Sequence, residues 1–156
     1  MNQIELLNQL GKQLLEAKSL EEYKRIQSEL LALSPETRRE IDKVAMRAIA
    51  SKGVTVKSFL AFYELLYGFR LPVHMDKAVR KAFEAHEQGL PFVLLGSRGF
   101  WKTVTFITLD AFLIGHHPEQ TGLITGANDG NCNIIAKQIA AIIEFNPEWK
   151  SVFPHV

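Results

Sequence analysis

Pro91-Phe92-Val93-Leu94-Leu95-Gly96-Ser97-Arg98-Gly99-Phe100-Trp101-Lys102-Thr103-Val104 is the stretch whose reading decides the fold. It opens as a short apolar run, the composition of a parallel strand buried on both faces. Gly96 and Gly99 then belong to a loop, and Lys102-Thr103 opens a segment with helical spacing. Strand, glycine loop, Lys-Thr and helix in that order form the layout of a phosphate-binding loop, G-x-x-x-x-G-K-[ST]. Trp101 stands where that motif has its second glycine.

Each residue type suits the chemistry of a bound triphosphate. Backbone N–H groups and a helix N-terminus hold several negative charges without a dedicated cationic cage. Gly96 and Gly99 let the backbone curl so that its amides converge. Lys102 is spaced to reach the β- and γ-phosphates, and Thr103 to offer its hydroxyl to Mg²⁺. Arg98, inside the loop, is placed for the γ-phosphate or for charge that develops on it. The same residues also fit a plain strand-to-helix turn with a solvated lysine and arginine. Two arrangements of Trp101 stay open: an indole packed beneath the loop, or one that blocks the nucleotide.

Outward from the loop, the chain continues the alternation. The segment from Lys102 to about Ile114 reads as a helix closed by Gly115-His116-His117-Pro118, and Gly122-Leu123-Ile124-Thr125 reads as a second strand. Residues 131–145 carry Ile134, Ile135, Ile139, Ile142 and Ile143 at helical spacing, and Asn146-Pro147 ends them. The expected fold class is therefore α/β: a helical region over 1–69, then a βαβα half-domain over 70–156 with a parallel sheet and a right-handed crossover. Phe106-Ile107-Thr108-Leu109-Asp110 imitates an acid-tipped strand but falls inside the helix, so Asp110 reads as a solvated acid beside core residues.

Before the loop the signals are helical. Leu6, Leu7, Leu10, Leu14 and Leu15 form one apolar stripe, and Tyr23, Ile26, Leu30 and Leu31 another over 20–31. Ser34-Pro35-Glu36 is a helix start, with a capping hydroxyl, proline in the first turn and an acid facing the positive end. Gly53 is placed to stop that helix, Thr55 to cap the next, and Gly68 to end it. A further helix is expected from Val73 to Gln88, closed by Gly89.

Composition sets the outer bounds. The chain has 156 residues, 47% hydrophobic and 22% charged, with a formal net charge of +1. That balance announces neither a global nucleic-acid-binding surface nor disorder. One cysteine, Cys132, excludes an intramolecular disulfide and a cysteine-built zinc cluster within the chain. Cys132 lies near a helix start, without a histidine in a recognisable catalytic arrangement. His116-His117 lacks the supporting pattern of a metal site. Lys43, Arg47, Lys52 and Lys57 interleave with Glu36, Glu40 and Asp42, a mixed solvated face rather than a phosphate-binding one. No apolar run reaches the roughly 20 residues of a membrane-spanning helix, and the amino terminus lacks a signal-peptide pattern. The expectation is a protein of the cytoplasm.

With these residues placed, the stretch from about Tyr67 to Val156 resembles the start of the ATPase domain of large terminase subunits of tailed bacteriophages. The resemblance rests on Leu71-Pro72-x-His74, the helix to Gly89, Gly96-Ser97-Arg98-Gly99-Phe100-x-Lys102-Thr103, His117-Pro118-Glu119, Gly122–Thr125, Asn146-Pro147 and Phe153-Pro154. It implies a RecA-like P-loop ATPase that drives double-stranded DNA into a procapsid in the cytoplasm of the host. It further implies ATP and Mg²⁺ as cofactors, a homo-oligomeric motor, and the portal protein and small terminase subunit as partners. Arg98 and Lys102 become the catalytic candidates. Gly96, Ser97, Arg98, Gly99, Phe100, Trp101, Lys102, Thr103 and His74 become the nucleotide-binding set, with Thr103 on the metal and His74 near adenine. Gly126-Ala127-Asn128-Asp129-Gly130 takes the place of a loop that approaches DNA or a neighbouring subunit, or is an ordinary polar turn. The family's acidic Mg²⁺ strand, coupling motif and nuclease domain have no counterpart in these residues. The chain thus resembles the front part of such a subunit, and is expected to bind nucleotide weakly and turn it over negligibly. The other reading is a non-enzymatic module that docks protein or DNA, its loop vestigial.

Overall fold

Ser34, Thr55, Asn128 and Asn146 each place a side-chain oxygen on a backbone N–H two or three residues ahead, and each starts a helix. The computed structural model describes residues 34–156 except Thr121, Gly126 and Ala127, together with Ser19, Glu21, Lys24, Arg25, Ile26 and Ser28. Six helices follow one another over the continuous part: α1 Pro35–Ala50, α2 Val56–Tyr67, α3 Val73–Glu87, α4 Lys102–His116, α5 Asp129–Phe145 and α6 Pro147–Val152. Residues 1–45 and 46–156 make two compact units. In the first, Glu21, Lys24, Arg25, Ile26 and Ser28 are all helical. The stripe from Leu6 to Leu15 lies outside the described residues.

The helix boundaries follow from the signals that mark them. Pro35 opens α1, and backbone and Ser34 hydrogen bonds hold the Glu36 carboxyl below its usual range. Gly68, at φ 73°, closes α2 by donating its N–H to the Glu64 carbonyl. In the second unit α4 packs along α5, while α2 touches α3, α4 and α6. Phe59, Phe62 and Tyr63 of α2, Met75 and Val79 of α3, Phe112 of α4 and Trp149 of α6 form the buried core with Phe153. α6 continues past Asn146-Pro147, where the pattern suggested only a stop. The Asn146 side chain accepts from the N–H groups of Glu148 and Trp149, so the same residue ends one helix and begins another.

The α/β expectation is corrected: the described residues are all-helical, and neither Phe92–Leu95 nor Gly122–Thr125 forms a strand. No parallel sheet and no βαβα unit is present among them. Burial shows why the apolar runs misled. Phe92 and Leu94 pack on the core, while Val93 is 78% and Leu95 89% exposed. Ile124 likewise packs inward and Leu123 is 88% exposed. Each run is covered on one side only, whereas a parallel strand needs cover on both faces and a hydrogen-bonded neighbour. α4 and α5 pack directly on each other instead, and neither run takes part in a backbone ladder. No described helix is long and apolar enough to cross a membrane.

Candidate functional site

The loop that precedes α4 is built on two left-handed residues. Gly99 has φ 77°, where glycine carries no steric penalty. Trp101 has φ 58° and ψ 9°, the one non-glycine residue with positive φ among those described. The backbone thus adopts a glycine-like geometry at the motif's glycine position, although a tryptophan occupies it. For an L-residue the left-handed region costs roughly 1–2 kcal/mol. Part of the compensation is visible: the Trp101 indole meets Phe69 edge-on, centroids 5.9 Å apart, and Phe69 in turn contacts Tyr63 and Tyr67. The ring remains 42% exposed.

Lys102 turns back over the loop it follows. Its Nζ donates to the Gly96 carbonyl at 2.8 Å and also to the Ser97 carbonyl. Gly96 permits this approach, because a Cβ there would stand 3.3 Å from the Phe100 ring and 3.4 Å from the lysine chain. Phe100 lies below the ammonium, 6.0 Å from Nζ to the ring centroid, and meets His74 from the start of α3 at a tilt of 49°, centroids 4.5 Å apart. Six of the predicted nucleotide-binding positions, Arg98 through Thr103, line one concavity of about 440 Å³ with Val104, and His74 lies outside that lining, touching the loop through Phe100. Arg98 and Ser97 are exposed.

The first turn of α4 has no side-chain cap, so its leading N–H groups lack the partner that Ser34 or Thr55 supplies elsewhere. An exposed helix start flanked by Lys102 and Arg98 is an anion-attracting arrangement. A second cavity, of about 600 Å³, lies beside it and receives Lys102, Thr103, Thr125 and Asp110 among Phe92, Leu94 and Ile124. For Mg²⁺ the fit is partial. Thr103 supplies one oxygen, and Mg²⁺ takes few protein ligands when phosphates and waters complete its octahedron. No group of three or more metal-ligating side chains occurs among the described residues.

Asp110 is a residue whose character the sequence reading missed. It is half-buried on α4, and burial alone raises its carboxyl from 3.8 to about 6. The signal was available in its spacing: Asp110, Leu113, Ile114 and His117 fall at i, i+3, i+4 and i+7, one face of a helix. His116 is half-buried against the core; its Nε2 pairs with the Ala50 carbonyl at 3.0 Å, and its ring contacts those of Phe112 and Phe153. His117 faces Glu119 at 3.6 Å. The interleaved charges divide between partners, Arg47 with Glu148 at 2.7 Å and Lys43 with Glu40 at 3.4 Å. Of the polar loop after Thr125, Asn128 caps α5 by accepting from Asn131 N–H, while Gly126 and Ala127 lie outside the described residues. No protein-family model, curated protein or solved structure matches this chain.

Proposed function

We propose that the chain binds the phosphates of a nucleotide at the loop before α4, as the front part of a large terminase subunit, an ATP-driven motor for double-stranded viral DNA. The observation that carries this reading is the folded-back lysine. An ammonium held by the carbonyls of Gly96 and Ser97, beside an uncapped helix start, sits where a polyphosphate would exchange those carbonyls for its own oxygens. Lys102 and Arg98 would neutralise phosphate charge, Thr103 would give its hydroxyl to phosphate-bound Mg²⁺, and His74 with Phe100 would form the aromatic side. The proposed setting is the host cytoplasm, with portal protein and small terminase subunit as partners of a homo-oligomeric motor.

The same geometry motivates a second reading, an interaction module without turnover. Lys102 is already satisfied by backbone carbonyls, and among the described residues the only carboxylate sharing a cavity with Thr103 is Asp110, seven residues and about 10 Å of helix away. Calorimetric titration with ATP and Mg²⁺ separates the two. Affinity that disappears in Lys102→Ala supports nucleotide binding; heat that is flat, or unchanged by Lys102→Ala, supports the module. Trp101 fluorescence is an independent readout, since Trp101 lines the concavity that phosphate would enter.

A further inference from the structure

Beyond the loop, α4, α5 and residues 120 and 122–124 line an open cleft of about 400 Å³ beside the cavity that reaches Lys102. Its walls are largely aliphatic, with Leu113, Ile139, Ile143, Leu123 and Ile124 around the Asp110 carboxylate. No hydrogen bond or ion pair reaches that carboxylate from the described residues. The charged groups nearby do not compensate it. On α4, Lys102 is two turns away and held by the carbonyls of Gly96 and Ser97, and His117 at the other end faces Glu119. From α5 the cavity receives only Ala136, Ile139, Ala140 and Ile143, and from 122–125 no charged side chain.

Asp110 is half-buried among aliphatic side chains with no protein donor among the described residues, so its carboxylate has lost part of its water without a protein group to replace it. A largely aliphatic pocket with one carboxylate, and with Gln120 and His117 also in its lining, has the composition of a small-molecule site: apolar walls for the body of a ligand and a few polar groups for its orientation. We propose that this cavity binds an organic cation, a primary ammonium carrying a compact apolar body, with the ammonium on Asp110 and the body between α4 and α5. The raised carboxyl agrees with this, because a group pushed upward by desolvation gains most from a cationic partner. An anion is disfavoured by Asp110, and a fully polar cation would leave the aliphatic walls unfilled. The site adjoins the cavity that reaches Lys102, sharing Asp110, Leu123 and Ile124 with it, but does not depend on phosphate binding there.

The test uses the whole chain at pH 8 and two probes of nearly equal shape, phenethylammonium and 2-phenylethanol, followed by calorimetry and by NMR shifts of the Ile139 and Ile143 methyl groups. The expected result is binding of the amine, weaker binding of the alcohol, and an amine affinity reduced about tenfold or more in Asp110→Asn, the scale of a lost charge-assisted hydrogen bond. Ala140→Leu, which adds volume to the cavity wall, should reduce the affinity of both probes. Equal binding of amine and alcohol, amine affinity unaltered by Asp110→Asn, or no binding of the amine to the wild-type chain would each overturn the proposal.

Discussion

The two ends of α4 have the same helical backbone and opposite economies of contact. At the carboxyl end, Trp149 Nε1 donates to the Ala111 carbonyl at 2.9 Å, His116 reaches the Ala50 carbonyl, and Phe153 lies against Gly115 so closely that a Cβ there would fall 2.5 Å from its ring. At the amino end, Trp101 is held at positive φ, Arg98 and Thr103 are exposed, and the aliphatic residues of 92–95 alternate between core and solvent. Packing is satisfied at one end and left open at the other. Regions with few buried contacts are the ones free to rearrange around a ligand, so the division puts stability at one end and binding at the other.

The largest effect is expected where the contact is tightest. Gly115→Ala adds a methyl group into the Phe153 ring, and overpacking of this kind typically costs 1–3 kcal/mol. Alanine recovers somewhat under 1 kcal/mol of helix propensity, and with three ring carbons within 2.7 Å the net loss in urea denaturation falls in the upper part of what remains, roughly 1–2 kcal/mol. A wild-type midpoint in Gly115→Ala would show that the ring is free to move and that the carboxyl end is less tightly packed than its contacts suggest.

Titration provides a second contrast, with opposite signs along the same helix. Burial lowers His116, so the unfolded chain takes up its proton first; His116 stabilises the fold above about 6.5, and that contribution is lost as pH falls toward its folded value. Asp110 is raised to about 6 from 3.8, so the folded chain holds its proton more tightly. Its favourable contribution is complete below 3.8 and is lost as pH rises to about 6, leaving a cost at neutral pH. Asp110→Asn should therefore stabilise the chain at pH 8 by about 1 kcal/mol, after allowance for solvent screening of a half-buried group. The gain should shrink as pH falls from about 6 toward 4. A pH-independent difference between the two proteins would remove the titration from the explanation.

Trp101 tests the open end directly. Trp101→Gly releases the penalty of the left-handed backbone but deletes the edge-on contact with Phe69, so the two effects on stability largely offset, within about 1 kcal/mol. Nucleotide binding is the more informative readout. If the indole only obstructs the loop, calorimetry should show ATP bound more tightly by Trp101→Gly, by a factor of about five. Weaker binding would mean that the ring itself takes part.

Local signals made the helices readable because they act within a few residues. Ser34-Pro35-Glu36, Thr55 and Gly68 each mark a boundary that the structure keeps. The strand expectation failed for a non-local reason. An apolar run records that a segment meets the core but not whether a neighbour pairs with its backbone, and Phe92 and Leu94 meet helices rather than a sheet. Arg98, Lys102 and Thr103 fall around one loop because they are close in sequence, whereas His74, taken from the resemblance, meets that loop through Phe100. The Lys102 contacts with Gly96 and Ser97, the Trp101–Phe69 pair and the desolvation of Asp110 depend on which helices pack together, which spacing alone does not state.

The smallest predicted effect examines the boundary between the two ends. Thr105 lies one turn into α4, fully buried, and its Oγ1 has no hydrogen-bond partner, whereas Thr108 one turn later donates to the Val104 carbonyl and pairs with Tyr67. A buried hydroxyl left unpaired costs more than a methyl of the same shape, so Thr105→Val should be neutral or stabilising by up to about 1 kcal/mol. Thr108→Val breaks two contacts and should be destabilising. The pair locates the point along α4 where polar groups become satisfied, between residues 105 and 108. If Thr105→Val instead destabilised as much as Thr108→Val, both hydroxyls would have partners, and the contrast between the two ends would begin nearer the loop.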